Sequence, residues 1–221
     1  MKENTLHAEL KEIYRLEGGK AEQWVNGYLI DVVRDDLLIE IQTQQFQALK
    51  KKLSDLLDLF PLRVVHPIAK EKIIHLRSID GSIIHCRKSN KTGKLEDLFA
   101  ELVYIARWVK HPNFSMEVLI TSEEEERTQD GLGSWRRKGV SIRDRRLIRI
   151  QERHLICKPE DYLQFIPSEI STPFTNGQLA ERLSIPRRLA TKMTYTLVQI
   201  GLIEQVGKNG RSYSYQVKSF D

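Results

Sequence analysis

Two apolar, β-branched runs on either side of a short polar break constrain this chain most. Gly27-Tyr28-Leu29-Ile30-Asp31-Val32-Val33 leads into Arg34-Asp35-Asp36, and Leu37-Leu38-Ile39-Glu40-Ile41-Gln42-Thr43 follows. That composition predicts two antiparallel strands joined by a tight turn. With Asp35-Asp36 as the two-residue loop, Arg34 pairs with Leu37, Val32 with Ile39, and Asp31 lies directly opposite Glu40. Side chains alternate across a strand. Ile30, Val32, Ile39 and Ile41 therefore share one face, and Asp31, Glu40 and Gln42 share the other. Like charges directly opposed, with Cβ atoms about 5 Å apart, destabilise a sheet. A positive group between them relieves this, and a divalent cation is the natural candidate, since Mg²⁺ is typically held by one or two carboxylates plus phosphate oxygens. Asp31 and Glu40 also fit a plainer role as ordinary polar-face residues of a hairpin.

An Asp, then Glu-x-Lys nine residues later on the next strand, resembles the PD-(D/E)XK nuclease superfamily, and Asp31 and Glu40-Ile41-Gln42 stand at that spacing. Two positions depart from the pattern. Ile30 precedes Asp31 where the family has Pro, and Gln42 stands where it has Lys. The resemblance covers roughly residues 5–80. It implies a restriction-endonuclease-like core, an α/β (α+β) fold with a mixed sheet flanked by helices, opening with a helix, a three-strand meander, a helix and a further strand.

The order of elements agrees. Thr5 caps a helix over 5–16, with Leu6, Leu10, Ile13 and Leu16 at helical spacing. After the hairpin, 44–60 reads as a helix with Phe46, Leu49, Leu53, Leu56 and Phe60 on one face, and strands follow over 62–68 and 72–78. In the mechanism the resemblance implies, Asp31 and Glu40 hold Mg²⁺ (Mn²⁺ as a substitute), and Glu9, on the apolar side of the first helix, is a third acidic ligand. Gln42 orients the attacking water through its amide, and Lys50 or Lys88 supplies the positive charge that Gln42 lacks. Glu9 equally fits a partly buried carboxylate paired with a nearby Lys or Arg. Gln42 equally fits an inactivated member of the superfamily.

The 221 residues leave room for one or two domains with a real core. A composition of 40% hydrophobic and 29% charged residues describes a soluble globular chain. No apolar run reaches the ~18 residues a membrane helix needs, and the N-terminus has no apolar signal core. Cys86 and Cys157 are too few for a disulfide framework or a zinc site, and both read as small, reduced core residues. A cytoplasmic protein with no membrane partner is expected.

A net charge of +5 permits an anionic partner without demanding one. Its distribution says more. Residues 117–130 hold six acids against Arg127, whereas 131–158 hold nine Lys or Arg against Asp144 and Glu152. Gly133-Ser134-Trp135-Arg136-Arg137-Lys138-Gly139 sits between glycines and reads as an exposed loop, with Arg136, Arg137 and Lys138 placed to contact phosphates. The basic region fits equally well as the partner of the acidic run Glu123–Glu126. Arg87-Lys88-Ser89-Asn90-Lys91 is a second basic loop. Between these loops, 96–109 reads as an amphipathic helix and 116–121 as a buried strand, and 140–142 with 147–150 read as a basic hairpin.

Pro167 to Pro173 marks a boundary between a domain over 1–166 and a second over 172–221. The second resembles a winged helix-turn-helix. Thr175 caps a helix over 176–183, Ser184-Ile185-Pro186 turns, a helix over 187–200 ends at Gly201, and Asn209-Gly210 turns a hairpin. The DNA-binding mode of that resemblance places Arg187, Arg188, Thr191 and Lys192 toward the major groove, with Lys208 and Arg211 on phosphates. Such domains also serve as protein-contact modules. Together these features predict a metal-dependent nuclease acting on nucleic acid, double-stranded DNA foremost, with a homodimer if both strands are cut. The alternatives are a non-catalytic DNA-binding protein on a nuclease-like scaffold, and a subunit of a larger assembly.

Overall fold

Helix α1, Thr5–Leu16, forms over the expected residues in the computed structural model, which describes residues 4–218. It buries Leu6, Leu10 and Tyr14, whereas Leu16, expected on the apolar stripe, is exposed. Its cap is Asn4, not Thr5: the Asn4 side chain accepts the His7 N–H at 2.8 Å. The Thr5 N–H is instead donated to the Asp144 carboxylate at 3.0 Å. An anion there also complements the positive end of the helix dipole.

Contacts divide the chain into two units. The first runs to Thr43 and adds Val65–Leu95 and Glu117–His154. It opens with α1 and an antiparallel meander of β1 (Lys20–Val25), β2 (Tyr28–Arg34) and β3 (Leu37–Ile41). None of the β1 residues is buried, so no apolar alternation announces that strand in the sequence. The β2–β3 turn is Asp35-Asp36, with Asp35 at φ 52°, and Val32 pairs with Ile39 and Arg34 with Leu37 as expected.

Four further strands complete the sheet: β4 (Leu62–Arg77), β5 (Ile83–Lys88), β6 (Phe114–Gln129) and β7 (Val140–Ile156). The order is β1-β2-β3-β4-β6-β7, with β5 antiparallel on β4. Side-chain bonds Arg63–Ser115 and Lys72–Glu125 advance in the same direction along β4 and β6, so these two strands are parallel. Bonds Arg145–Glu123 and Arg143–Asp130 advance in opposite directions, so β6 and β7 are antiparallel. The chain is thus mixed α/β, with a mixed sheet flanked by helices.

Several strands are longer than expected. β4 is one strand where two were expected, because Lys70 and Glu71 continue it by pairing with Glu152 and Lys88. β7 likewise replaces the expected short basic hairpin; its partner is β6. The core of this unit joins Leu6, Leu10 and Tyr14 to Val32, Ile39, Ile41, Val65 and Leu119. Burying each such side chain contributes on the order of 2 kcal/mol. Cys86 is exposed on the solvent-facing β5, and Cys157 is exposed as well, so neither is the core residue expected.

The second unit comprises Gln44–Val64, Glu96–Met116 and the chain from Leu155 onward. Segments 44–64 and 96–116 therefore belong with the C-terminal part, and the units do not divide at 167–173. The helix expected over 44–60 is a 3-10 turn, Phe46–Leu49, followed by α2, Lys50–Leu56. The helix expected over 96–109 shrinks to α3, Phe99–Leu102, between 3-10 turns Leu95–Leu98 and Ala106–Trp108. Leu98 and Phe99, Ile105 and Ala106, and Trp108 and Val109 are all buried. Adjacent buried pairs span more than one stripe of a regular helix, and the tighter turns re-aim them. Phe99 meets Phe165 edge-on, with centroids 4.8 Å apart.

At the C-terminus, β8 (Phe174–Thr175), α4 (Asn176–Leu183), α5 (Arg187–Gln199), β9 (Ile203–Asn209) and β10 (Ser212–Val217) follow the expected order, and the strands pair as β8-β10-β9. Thr175 caps α4 and Gln178 reciprocates, a capping box. Gly201 ends α5 at φ +85°. The hairpin turn is Gly210-Arg211, one residue later than expected, because Asn209 still pairs with Ser212. Among the described residues no helix is long and apolar enough to cross a membrane.

Candidate functional site

β2 and β3 pair as far as Val32 with Ile39, and Asp31 and Glu40 are the next residues along each strand; Ile30, Val32, Ile39 and Ile41 are all buried. Glu40 is only 5% exposed. Asp31 Oδ2 accepts the Ile41 N–H at 2.8 Å and stands 3.1 Å from His7 Nε2. Helix α1 thus brings His7, a residue that carboxylate spacing does not point to, to Asp31. Its position one helical turn ahead of Lys11, on the α1 face turned toward the hairpin, is the signal that marks it.

Glu9 lies elsewhere. Its Oε2 accepts the backbone N–H of Leu147 on β7 at 2.6 Å. The backbone of Gln42 is fixed on both sides: its N–H donates to the Val65 carbonyl at 2.8 Å, and its carbonyl lies 2.7 Å from Nδ1 of the buried His66. Among the described residues no three His, Cys, Asp or Glu side chains converge as a metal cluster. Lys88, one candidate for the missing positive charge, is paired with Glu71 at 2.8 Å. Lys50 lines a cavity of the second unit with Tyr104, Trp108 and Tyr195.

Most of the basic β7 region is neutralised by the acidic run and its neighbours. Arg145 pairs with Glu123 at 2.6 Å, Arg143 with Asp130 at 2.6 Å, and Arg153 with Glu17 at 2.6 Å. Lys72 and Arg127 hold the buried Glu125 at 2.8 and 2.5 Å. Of the two arrangements the sequence allowed for this block, internal pairing is the one seen on β7. The loop residues Arg136, Arg137 and Lys138 differ: all three are exposed, and none has a carboxylate within ion-pair distance among the described residues.

In the C-terminal part, Arg187 donates to Ser212 Oγ at 2.9 Å, the Thr191 hydroxyl returns to the Arg187 carbonyl at 3.0 Å, and Arg188 is exposed. Lys208 lies 5.2 Å from the Tyr213 ring, and Arg211 sits exposed in the hairpin turn. Lys192 does not project outward as expected. Its ammonium donates to the Ala100 carbonyl at 2.5 Å and lies 5.2 Å from the Tyr104 ring, because α5 packs on α3.

Comparison with known proteins adds a family without a described chemistry. A protein of Treponema pallidum (strain Nichols), described as an uncharacterized protein, is 27% identical over 217 residues, covering 97% of this chain and 85% of its own. No solved structure matches the chain. Residues 4–157 match the family model described as Domain of unknown function (DUF8091), and the chain belongs to that family.

Proposed function

We propose that this chain is a metal-dependent, nuclease-like protein that binds nucleic acid, double-stranded DNA foremost, and hydrolyses phosphodiester bonds. The observation that supports this reading is the β2–β3 hairpin, whose pairing of Val32 with Ile39 leaves Asp31 and the buried Glu40 as the next residues on adjacent strands.

Two carboxylates offer hard oxygen donors, and substrate phosphate oxygens complete such a set for Mg²⁺ or Mn²⁺. In this reading the site is a two-carboxylate one, of Asp31 and Glu40; Glu9, whose carboxylate accepts the Leu147 N–H, is not part of it. A bound cation supplies Lewis acidity to the phosphate and lowers the pKa of a coordinated water. His7 and the Ile41 N–H fix the Asp31 carboxylate through Oδ2. In this reading Gln42, its backbone pinned between Val65 and His66, positions the attacking water through its amide.

The C-terminal elements fit a winged helix-turn-helix. Arg187, Arg188 and Thr191 on α5, with Lys208 and Arg211 on the hairpin, form its exposed nucleic-acid-contacting set, from which Lys192 is withdrawn. Cutting both strands of a duplex implies two copies acting together.

A second reading has its own observation. Asp31 Oδ2 already serves two partners, and among the described residues no group of three metal-ligating side chains forms, which suits a non-catalytic DNA-binding protein on a nuclease-like scaffold. Cleavage of duplex, single-stranded and branched DNA and of RNA, with Mg²⁺, Mn²⁺ or chelator, separates the two. Metal-dependent cutting by the wild type that is lost in Glu40→Ala supports the nuclease. Duplex binding without cutting, abolished by Arg187→Ala/Arg188→Ala, supports the scaffold.

A further inference from the structure

A cavity of about 320 Å³ in the first unit is lined by His85 and Arg87 of β5, Arg127 of β6, and Arg136, Arg137 and Lys138 of the loop between β6 and β7. No carboxylate is among its lining residues. Glu125 neutralises Arg127 at 2.5 Å. Arg87, Arg136, Arg137 and Lys138 have no carboxylate within ion-pair distance among the described residues. On β7, by contrast, Arg143, Arg145 and Arg153 are paired with carboxylates, so unpaired cations gather around this hollow. Cations gathered this closely repel one another, and an anion among them removes the repulsion.

A second feature adjoins the cavity. Trp135 is 83% exposed, and the Arg136 guanidinium lies 5.6 Å from its ring. The loop that carries them is built, not slack. Gly133 N–H donates to the Gly139 carbonyl at 2.9 Å, Arg137 and Lys138 close a 3-10 turn onto Ser134 and Trp135, and Arg137 Nε donates to the Val140 carbonyl at 3.1 Å. Asp130 ties the base of the loop, taking the Leu132 N–H, the Ser141 hydroxyl and Arg143. An indole held in water by a closed loop presents a free π-face beside a set of phosphate-sized positive contacts.

We propose that this cavity and Trp135 form a binding site for a single-stranded nucleic-acid segment, with a backbone phosphate among Arg87, Arg136, Arg137 and Lys138 and an unpaired base stacked on the indole. This deepens, and rests on, the nucleic-acid reading above. A duplex offers its phosphates but keeps its bases stacked on one another; a single strand offers both, and base–aromatic stacking is tolerant of sequence.

Full-length protein would be titrated by fluorescence anisotropy against a labelled oligothymidylate, an oligouridylate and a duplex of equal length. Trp135→Ala should weaken both single strands by about tenfold while duplex affinity changes by less than about twofold, and Trp135→Phe should restore most of the loss. Arg136→Gln/Lys138→Gln should lower the slope of log affinity against log salt on single strands by about 1.4. Melting temperatures confirm that each variant folds. Unequal affinity for the two oligonucleotides assigns the strand as DNA or RNA. Equal losses on single strand and duplex in Trp135→Ala, or no loss on either, would overturn the site while leaving nucleic-acid binding in place. A wild type that binds none of the three would overturn both.

Discussion

Arg145 places Nε and Nη2 on one oxygen of Glu123, at 3.0 and 2.6 Å, and Glu123 is fully buried. The other oxygen takes the Thr121 hydroxyl at 2.8 Å. A buried carboxylate is tolerable only while such donors remain, and removing one partner strands the other. Arg145→Ala should therefore lower the unfolding free energy by about 3 kcal/mol, measured by guanidinium denaturation. Glu123→Leu/Arg145→Leu, which removes both charges, should lose much less; equal losses would show that the pair does not act as a unit.

Acid should unfold the protein through the same sheet. Burial pushes the Glu125 carboxyl up and is its largest single influence. The hydrogen bonds and charges of Lys72 and Arg127 together outweigh it, so the carboxyl titrates below its usual 4.5. A folded pKa below the unfolded one gives stability that is present above about 4.5 and lost as pH falls through the folded value. Melting temperature should hold from neutral pH to about 5 and then drop. Glu125→Gln should melt lower at neutral pH and show a shallower acid limb. Asp144, also held low, contributes with the same sign: burial again opposes the shift most strongly, and hydrogen bonds from Thr5 and Arg145 overcome it.

Gly133 tests whether the Trp135 loop is held as tightly as its hydrogen bonds suggest. A Cβ there would lie 1.9 Å from the Val140 carbonyl oxygen, a backbone atom that cannot rotate away. Gly133→Ala should open the loop and destabilise the protein by about 2 kcal/mol, read as a lowered melting temperature. It should also increase proteolytic cleavage between Asp130 and Val140. An unchanged loop in this variant would mean that the backbone yields at little cost.

Lys192 separates packing from recognition on α5. Its bond to the Ala100 carbonyl and its place over Tyr104 predict that Lys192→Ala costs about 1 kcal/mol of stability. Affinity for DNA should stay within about twofold of wild type at matched salt. A large, salt-dependent loss of affinity with no change in stability would return Lys192 to the contacting surface.

The β2–β3 hairpin was legible because a period of two and an Asp-Asp turn are local signals, and its register follows from loop length alone. Helices α1 and α4 were legible for the same reason, since apolar spacing is local; the cap of α4 was read correctly, and that of α1 falls one residue earlier, on Asn4. β1 was not, because Lys20–Val25 is exposed and carries no alternation. The lengths of β4, β6 and β7 were hidden by their charges. Glu123, Glu125 and Arg145 look like solvent residues until the neighbouring strand supplies a partner far away in sequence. The same non-local pairing explains why a basic block that resembles a phosphate-binding face is largely neutral on β7. At the hairpin, the spacing of Asp31 and Glu40 is a local signal, whereas His7 reaches Asp31 only through the docking of α1.

That docking has a consequence for the order of events when the chain is made. Helix α1 and its end are tied down by residues of the same unit that are made much later. Thr5 holds Asp144, Glu9 holds Leu147 N–H, and Glu17 holds Arg153, with sequence separations of 139, 138 and 136. Contacts this distant close large loops and slow folding. His7 therefore approaches Asp31 securely only after β7 has been synthesised, so a truncated or stalled product carries the hairpin carboxylates without the helix that organises them.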